Sequence, residues 1–351
     1  MSIVGTDNKI CTILDRSSVY VVTVTYGNRF HFLKQVIDAC INEGVGKIIV
    51  VDNNSESGEK LKESEKVLKD KLKVIYLPNN TGSAGGFKVG LEEVSNDKSC
   101  QLVLLLDDDN VLCSGSIKKA LYLWNYFNEI NDFFALSFSR YAWVNDLCTV
   151  KLGLPKMRDD NNSFCGFNIN RAFRVFSKKY SKKILQKKET LYLVTKAKVA
   201  PYGGLFFHKN VISKIGFPNE DFFLYQDDFD YTYRITENGG AIYFCSDINI
   251  EDVDCSRVKI MHDMFNENSN EVAIYYAIRN NVFWGKKFIT NYLVYGFNMV
   301  VWMIYFFVVL YLKNINRVAF HIYKKRVALL LKAIYDGYKA NLGKTYIKNG
   351  S

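Results

Sequence analysis

The chain has 351 residues, 48% of them apolar and 15% aromatic, which is enough to fill a core and excludes global disorder. Its net charge of +10 is not spread as a nucleic-acid footprint: from Lys313 onward nine basic residues meet one acid, Asp336, so the tail carries +8 and the body before it only +2. A basic tail beside an apolar segment points to anionic lipid rather than to nucleic acid.

The eight cysteines are scattered and form no CxxC pair, so neither a zinc site nor a disulfide framework is implied. The opening residues MSIVGTDNKI lack the basic and apolar regions of a secretory signal, and the expected location is a reducing cytoplasm.

Taken in chain order, residues 19–25 (VYVVTVT) predict a β-branched strand that ends in a turn at Tyr26–Arg29. Phe30, Leu33, Ile37 and Ile41 keep helical spacing, and Gly44 stops the helix. Residues 47–51 predict a second strand ending at Asp52. Leu61, Leu68 and Leu72 predict one face of a charged helix, and residues 73–77 a third strand. Residues 78–87, PNNTGSAGGF, form a glycine-rich turn feeding another helix. No GxGxxG follows the first strand and no Walker lysine is present, so two readings stand: a plain helix entry, or a backbone that approaches phosphate or sugar closely.

The unbroken run Leu102–Leu106 predicts a strand buried on both faces, and it leads straight into Asp107, Asp108 and Asp109. In an extended chain Asp107 and Asp109 share one side while Asp108 points away. Two hard oxygen ligands at the C-terminal mouth of a sheet suit Mg²⁺ or Mn²⁺ carrying a diphosphate; the other reading is a polar turn capping the strand. Ile117, Leu121, Trp124 and Phe127 predict one more helix. The alternation of strand and helix implies an α/β fold with a mostly parallel central sheet covered on both sides.

Residues 140–198 carry a basic cluster from Arg171 to Lys188, read either as a solvated surface or as a loop meeting a phosphate-bearing acceptor. PYGGLFF at 201–207 predicts a strand whose start, at Gly203 and Gly204, is approached by other backbone. Asp227 and Asp228 open a helix that carries Arg234. Carboxylates there either interact with the helix dipole or supply a general base whose pKa is raised by burial and like charge. His262, in KIMHDMF, is either structural or the third member of a metal site.

This ordered set resembles the inverting family 2 glycosyltransferases of GT-A fold, nearest to bacterial galactofuranosyltransferases and related rhamnosyltransferases, over about residues 18–285. The resemblance implies Asp107, Asp109 and His262 as metal ligands for Mn²⁺ or Mg²⁺. It implies Thr25, Arg29, Asp52 and Asp108 as donor-nucleotide contacts, and Asn80, Gly82, Gly85, Gly86 and Phe87 as the loop beside the diphosphate and sugar. Asp228 matches the catalytic base and Asp227 an acceptor contact, with Gly203 and Gly204 bordering the acceptor. Gln226 stands where the galactofuranosyltransferases often show Trp, and Asp230 where they show Glu. The implied reaction is transfer of galactofuranose from UDP-galactofuranose to a glycan, lipid-linked, for bacterial surface polysaccharide. A dTDP-rhamnose donor is the enzymatic alternative and a membrane-bound scaffold with a degenerate site the non-enzymatic one. A homo-oligomer is compatible with either.

The implied organisation is a lead at 1–17, a GT-A catalytic domain at 18–285 (donor half 18–138, acceptor half 139–285) and an apolar then basic helical region at 286–351. Residues 289–312 carry no charge and are long enough to span a bilayer. A single crossing would export the basic tail, against the positive-inside tendency, so the expected arrangement is a helix lying on the inner face of the cell membrane. A buried helix or a dimer interface is the alternative.

Overall fold

A computed structural model describes residues 14–140, 161–170, 194–254, 269–309, 311–312 and 319–346. His262 and the basic cluster at 171–188 lie outside the described residues.

The first half is built as its hydrophobic pattern requires. Strand β1 (Val19–Thr25) is buried along its whole length, because it is paired on both edges and covered on both faces. Helix α1 (Phe30–Glu43) ends on Gly44, whose φ of 77° is the left-handed cap that glycine adopts without strain. Then follow β2 (Lys47–Asp52), α2 (Gly58–Leu68), β3 (Leu72–Tyr76), α3 (Gly82–Asn96) and β4 (Leu102–Asp107). The strands pair in the order β3-β2-β1-β4, all parallel.

One expectation fails here. Leu72 is not on the face of α2 but opens β3, and Leu61 is the one buried residue of that helix. A left-handed Lys69 and a short 3-10 turn end the helix before Leu72 is reached.

Beyond β4 the sheet becomes mixed. The elements are β5 (Asn110–Leu112), α4 (Ser116–Asn128), β6 (Phe134–Arg140), β7 (Val194–Ala197), β8 (Leu205–His208), α5 (Asn210–Ile215), α6 (Asp227–Glu237) and β9 (Ala241–Asp252). Strand β8 runs antiparallel between β4 and β6. Strand β9 runs parallel to β6, but their register slips between Phe138 and Ser139, from Cys245 to Asn249. Past that bulge β9 also pairs with β5, which sets Asp252 opposite Asn110. The slip therefore delivers the acidic end of β9 to the aspartate triplet.

Two apolar layers cover the sheet. Val21, Val50 and Leu104 face α1 and α4, whereas Val22, Val51 and Leu105 face α3, α5 and α6. This one-residue alternation is the pleat of a strand buried on both sides.

Helices α7 (Glu271–Gly285), α8 (Tyr292–Ile304, continued as a π turn to Val309) and α9 (Phe320–Lys339) share a third core containing Ile278, Trp302 and Leu330. Asn298, fully buried on α8, donates to Asn162 O at 2.8 Å and accepts from Ile169 N at 3.0 Å. The opposite face of α8 exposes Leu293, Phe297, Val300, Ile304 and Val308. Their spacing keeps them on one stripe of the helix.

Candidate active site

Three element ends converge: the C-terminus of β4, the N-terminus of α3 and the N-terminus of α6. At β4 the period-two expectation holds only as far as Asp107. The strand stops there, and Asp108 and Asp109 form a turn into β5, so the two do not point apart. Both reach the same guanidinium: Arg29 Nε lies 2.9 Å from Asp108 Oδ1, and Nη2 lies 3.3 Å from Asp109 Oδ2. Its Nη1 lies 2.7 Å from Asp254 Oδ2. Burial works against a charge on Arg29, but Asp108 and Asp254 hold it protonated. Thr25 Oγ1 donates to Asp108 Oδ2 at 2.9 Å. Burial pushes Asp108 up to about 7, although Arg29 and Thr25 pull it down.

Asp109 is buried and accepts from Asn110 Nδ2 at 3.2 Å, while the same amide donates to Asp252 at 2.6 Å. Asp107 is half-buried at the mouth of the sheet. Gly203 leaves room there: a Cβ on it would collide with the Asn110 amide and stand 3.1 Å from Asp107 Oδ2. Of the predicted metal ligands, Asp107 is half-buried and Asp109 buried, the latter bonded to Arg29 and Asn110. Among the described residues no three His, Cys, Asp or Glu side chains gather as a metal site.

The glycine-rich stretch is a helix start rather than a free loop. Gly82 has φ 76°, and a Cβ on it would strike the Phe223 carbonyl. A Cβ on Gly85 would meet Thr81, and one on Gly86 would meet Val24 of β1. Gly85 and Gly86 thus let α3 pack close to its surroundings, with no sugar needed to explain them. Phe87, expected beside the donor sugar, is instead in the core, its ring 4.4 Å from that of Tyr202. Helical phase turns it inward. Asn80 Oδ1 accepts from Gly82 N at 2.8 Å, which closes the turn.

Asp52 is buried and accepts from Ser55 N at 2.7 Å in its own turn. The neighbouring Asn53 does the bridging: its Nδ2 donates to Gly82 O at 2.8 Å, and its Oδ1 accepts from Thr81 N at 2.8 Å. Gly204, with φ 85°, lies in the turn just before β8; its N donates to Leu105 O and its O accepts from Phe138 N.

The acid pair opens α6. Phe223, Tyr225 and Gln226 before it are all left-handed, a local strain that the surroundings must hold. The clamp is Asn280 of α7, fully buried, whose Nδ2 lies within 2.9 Å of the carbonyls of Phe222, Leu224 and Tyr225. Arg279 adds Nη2 to Phe222 O at 2.9 Å. Asp228 is half-buried and accepts from Phe229 N at 2.8 Å. Asp227 is buried and accepts from Ser83 Oγ of α3 at 2.8 Å. Burial raises the Asp227 carboxyl well above its ordinary value, and the charges of Asp228 and Asp107 raise it further. Asp230 is turned away to Lys287, 2.7 Å distant.

The structure thus brings Asp107, Asp227, Asp228, Gly203 and the start of α3 to the same end of the sheet. Asn53, Ser83, Asn110, Asp252 and Asp254 belong to the same network and escaped the sequence reading. Short polar residues beside strand ends were their only signal.

Residues 20–185 match the family described as "Glycosyl transferase family 2". That span is just under half of the chain. The matched part includes Thr25, Arg29, the α3 entry and the aspartate triplet, but stops before the acid pair of α6. A search of curated proteins finds no match. Among solved structures, GalNAc-T7 with UDP, GalNAc and Mn²⁺ is similar at 13% identity and TM-score 0.48, over 67% of this chain and 43% of that one. S. aureus TarS is similar at 11% identity and TM-score 0.47, over 92% of this chain and 55% of that one. TarS 1-349 in complex with UDP-GlcNAc gives 14% identity and TM-score 0.43, over 92% and 91%. The chain therefore spans well under two thirds of the first two.

Proposed function

We propose that this protein is a metal-dependent inverting glycosyltransferase that moves one sugar from a nucleoside diphosphate donor to a glycan hydroxyl. The observation that carries this reading is the carboxylate pair at the start of α6, close enough to Asp107 for its charge to act on Asp227. A hydroxyl attacking the anomeric carbon must lose a proton, and the half-buried Asp228 is the group to accept it. Asp227, whose carboxyl is raised by burial and by its neighbours' charge, suits an acceptor hydroxyl as a hydrogen-bond partner. A divalent cation held at Asp107, with Asp109 and His262 as the further ligands proposed, would neutralise the leaving diphosphate. Single displacement needs no protein nucleophile, and the reading names none.

The donor proposed is UDP-galactofuranose, on the order of the sequence motifs, and the acceptor a lipid-linked glycan. The stripe Leu293–Phe297–Val300–Ile304–Val308 supports an acceptor at a membrane. Its helix packs its other face, including Asn298, onto the protein, which favours lying on the inner surface of the cell membrane over crossing it.

The test is turnover of UDP-galactofuranose, UDP-galactopyranose, UDP-glucose and dTDP-rhamnose, each with and without Mn²⁺. Metal-dependent turnover of the first is expected. Turnover of dTDP-rhamnose alone would keep the chemistry and replace the donor, and turnover unaffected by chelation would remove the metal from the mechanism.

A further inference from the structure

The C-terminal end of the described chain returns to the donor side of the site. Helix α9 stops at a left-handed Ala340, and residues 341–346 then run back across α7 as a strap. Every stage is pinned. Asn341 Nδ2 donates to Asp336 at 3.0 Å, Gly343 N donates to Asp221 O at 2.6 Å, and Arg279 Nη1 donates to Gly343 O at 2.6 Å. Thr345 meets the Tyr275 hydroxyl at 3.1 Å, and the Tyr346 ring stacks on Tyr275 with centroids 4.7 Å apart. Between these anchors stands Lys344, an exposed residue. Its Nζ donates to Asn80 O at 3.0 Å and lies 5.5 Å from the centre of the Phe223 ring.

The position is specific. Asn80 closes the turn into α3, and Phe223 is the residue whose carbonyl covers Gly82. Lys344 thus sits where the α3 entry meets the acid-bearing turn, brought there from 264 residues away in sequence. The donor's diphosphate needs positive charge at this end of the site. Arg29 is engaged by Asp108, Asp109 and Asp254, and Lys88 pairs with Glu220 at 3.1 Å. A lysine is a flexible point charge that reaches a phosphate without a fixed plane of approach. Anchoring the backbone on both sides of it lowers the ordering cost of binding.

We propose that Lys344 is a donor-binding residue, presented by the strap 341–346 to the diphosphate of the nucleotide sugar. The proposal rests on the donor reading above. It also makes the helical appendage part of the donor site, since α9 and the strap deliver the charge.

The experiment is calorimetric binding of UDP, dTDP and uridine to the full chain with Mn²⁺, for the wild type, Lys344→Gln and Lys344→Arg. Lys344→Gln should weaken UDP by about tenfold, as expected for loss of a charge-assisted contact, with uridine unchanged. Lys344→Arg should stay within about threefold of wild type, because the charge is kept. UDP binding to Lys344→Gln at wild-type strength would overturn the proposal. So would an equal loss for UDP and uridine, which would make the lysine a brace for the turn. A wild type that binds neither UDP nor dTDP would instead overturn the donor reading itself, and a melting temperature unchanged by Lys344→Gln separates both from misfolding.

Discussion

Asp227 and Asp228 are neighbours in sequence, yet their surroundings divide them. Asp228 is half-buried, while Asp227 is buried, accepts from Ser83 and has its carboxyl raised well above the ordinary value. Asp228→Asn should retain UDP-sugar binding and lower kcat by about 10²–10⁴, the range supplied by a positioned base; loss of donor binding in its place would show the roles to be misassigned. Asp227 has a stability consequence of definite sign. Its proton stays on in the folded state after the unfolded chain has released it, so its contribution falls as pH rises from about 4 toward the raised folded value. Asp227→Asn removes that titration. Thermal melts from pH 4 upward should give a flatter curve for the variant than for the wild type, and parallel curves would show that Asp227 is not held protonated.

At the scale of elements, the acid pair depends on a turn that does not hold itself. Phe223, Tyr225 and Gln226 are left-handed without being glycine, each at a cost of order 1–3 kcal/mol. The Asn280 amide offsets this with its two N–H donors, shared among three carbonyls of the turn. Asn280→Ala should therefore lower stability by about 2 kcal/mol in denaturant melts, and turnover should fall with it because α6 begins one residue after the turn. A variant with wild-type stability and turnover would show that the turn is held by other contacts. Strands β1, β2 and β4 were legible beforehand, since a strand buried on both faces is a run of apolar residues. Strand β9 was not: its bulge at Phe138/Ser139 depends on its partner's register, which no local pattern encodes. The same holds for Phe87, whose inward direction is fixed by how α3 leans on the sheet.

For the whole molecule, the appendage has two faces with different tasks. Trp302 and Asn298 hold α8 to the body, and the Leu293–Val308 stripe is left to solvent. Exposed apolar stripes of this kind mark interaction surfaces. Leu293→Glu with Phe297→Glu should leave donor turnover unchanged and reduce binding to anionic phospholipid vesicles by at least tenfold, given about 1.5–3 kcal/mol for each large side chain withdrawn from water. Unchanged vesicle binding, measured by co-sedimentation, would remove the membrane from the proposal.

The sequence by itself determined the parallel half of the sheet, the aspartates at the end of β4, the glycines at the entry to α3 and the acids at the start of α6. All are local: side-chain period, helix caps and strand length are read within a few residues of each other. Only the tertiary structure decided which of those residues share the site. It turned Asp109 to Arg29, hid Phe87, set Ser83 on Asp227 and carried Lys344 to Asn80. Those contacts join residues tens to hundreds of positions apart, and their partners are chosen by strand register and helix packing rather than by any neighbour in the chain.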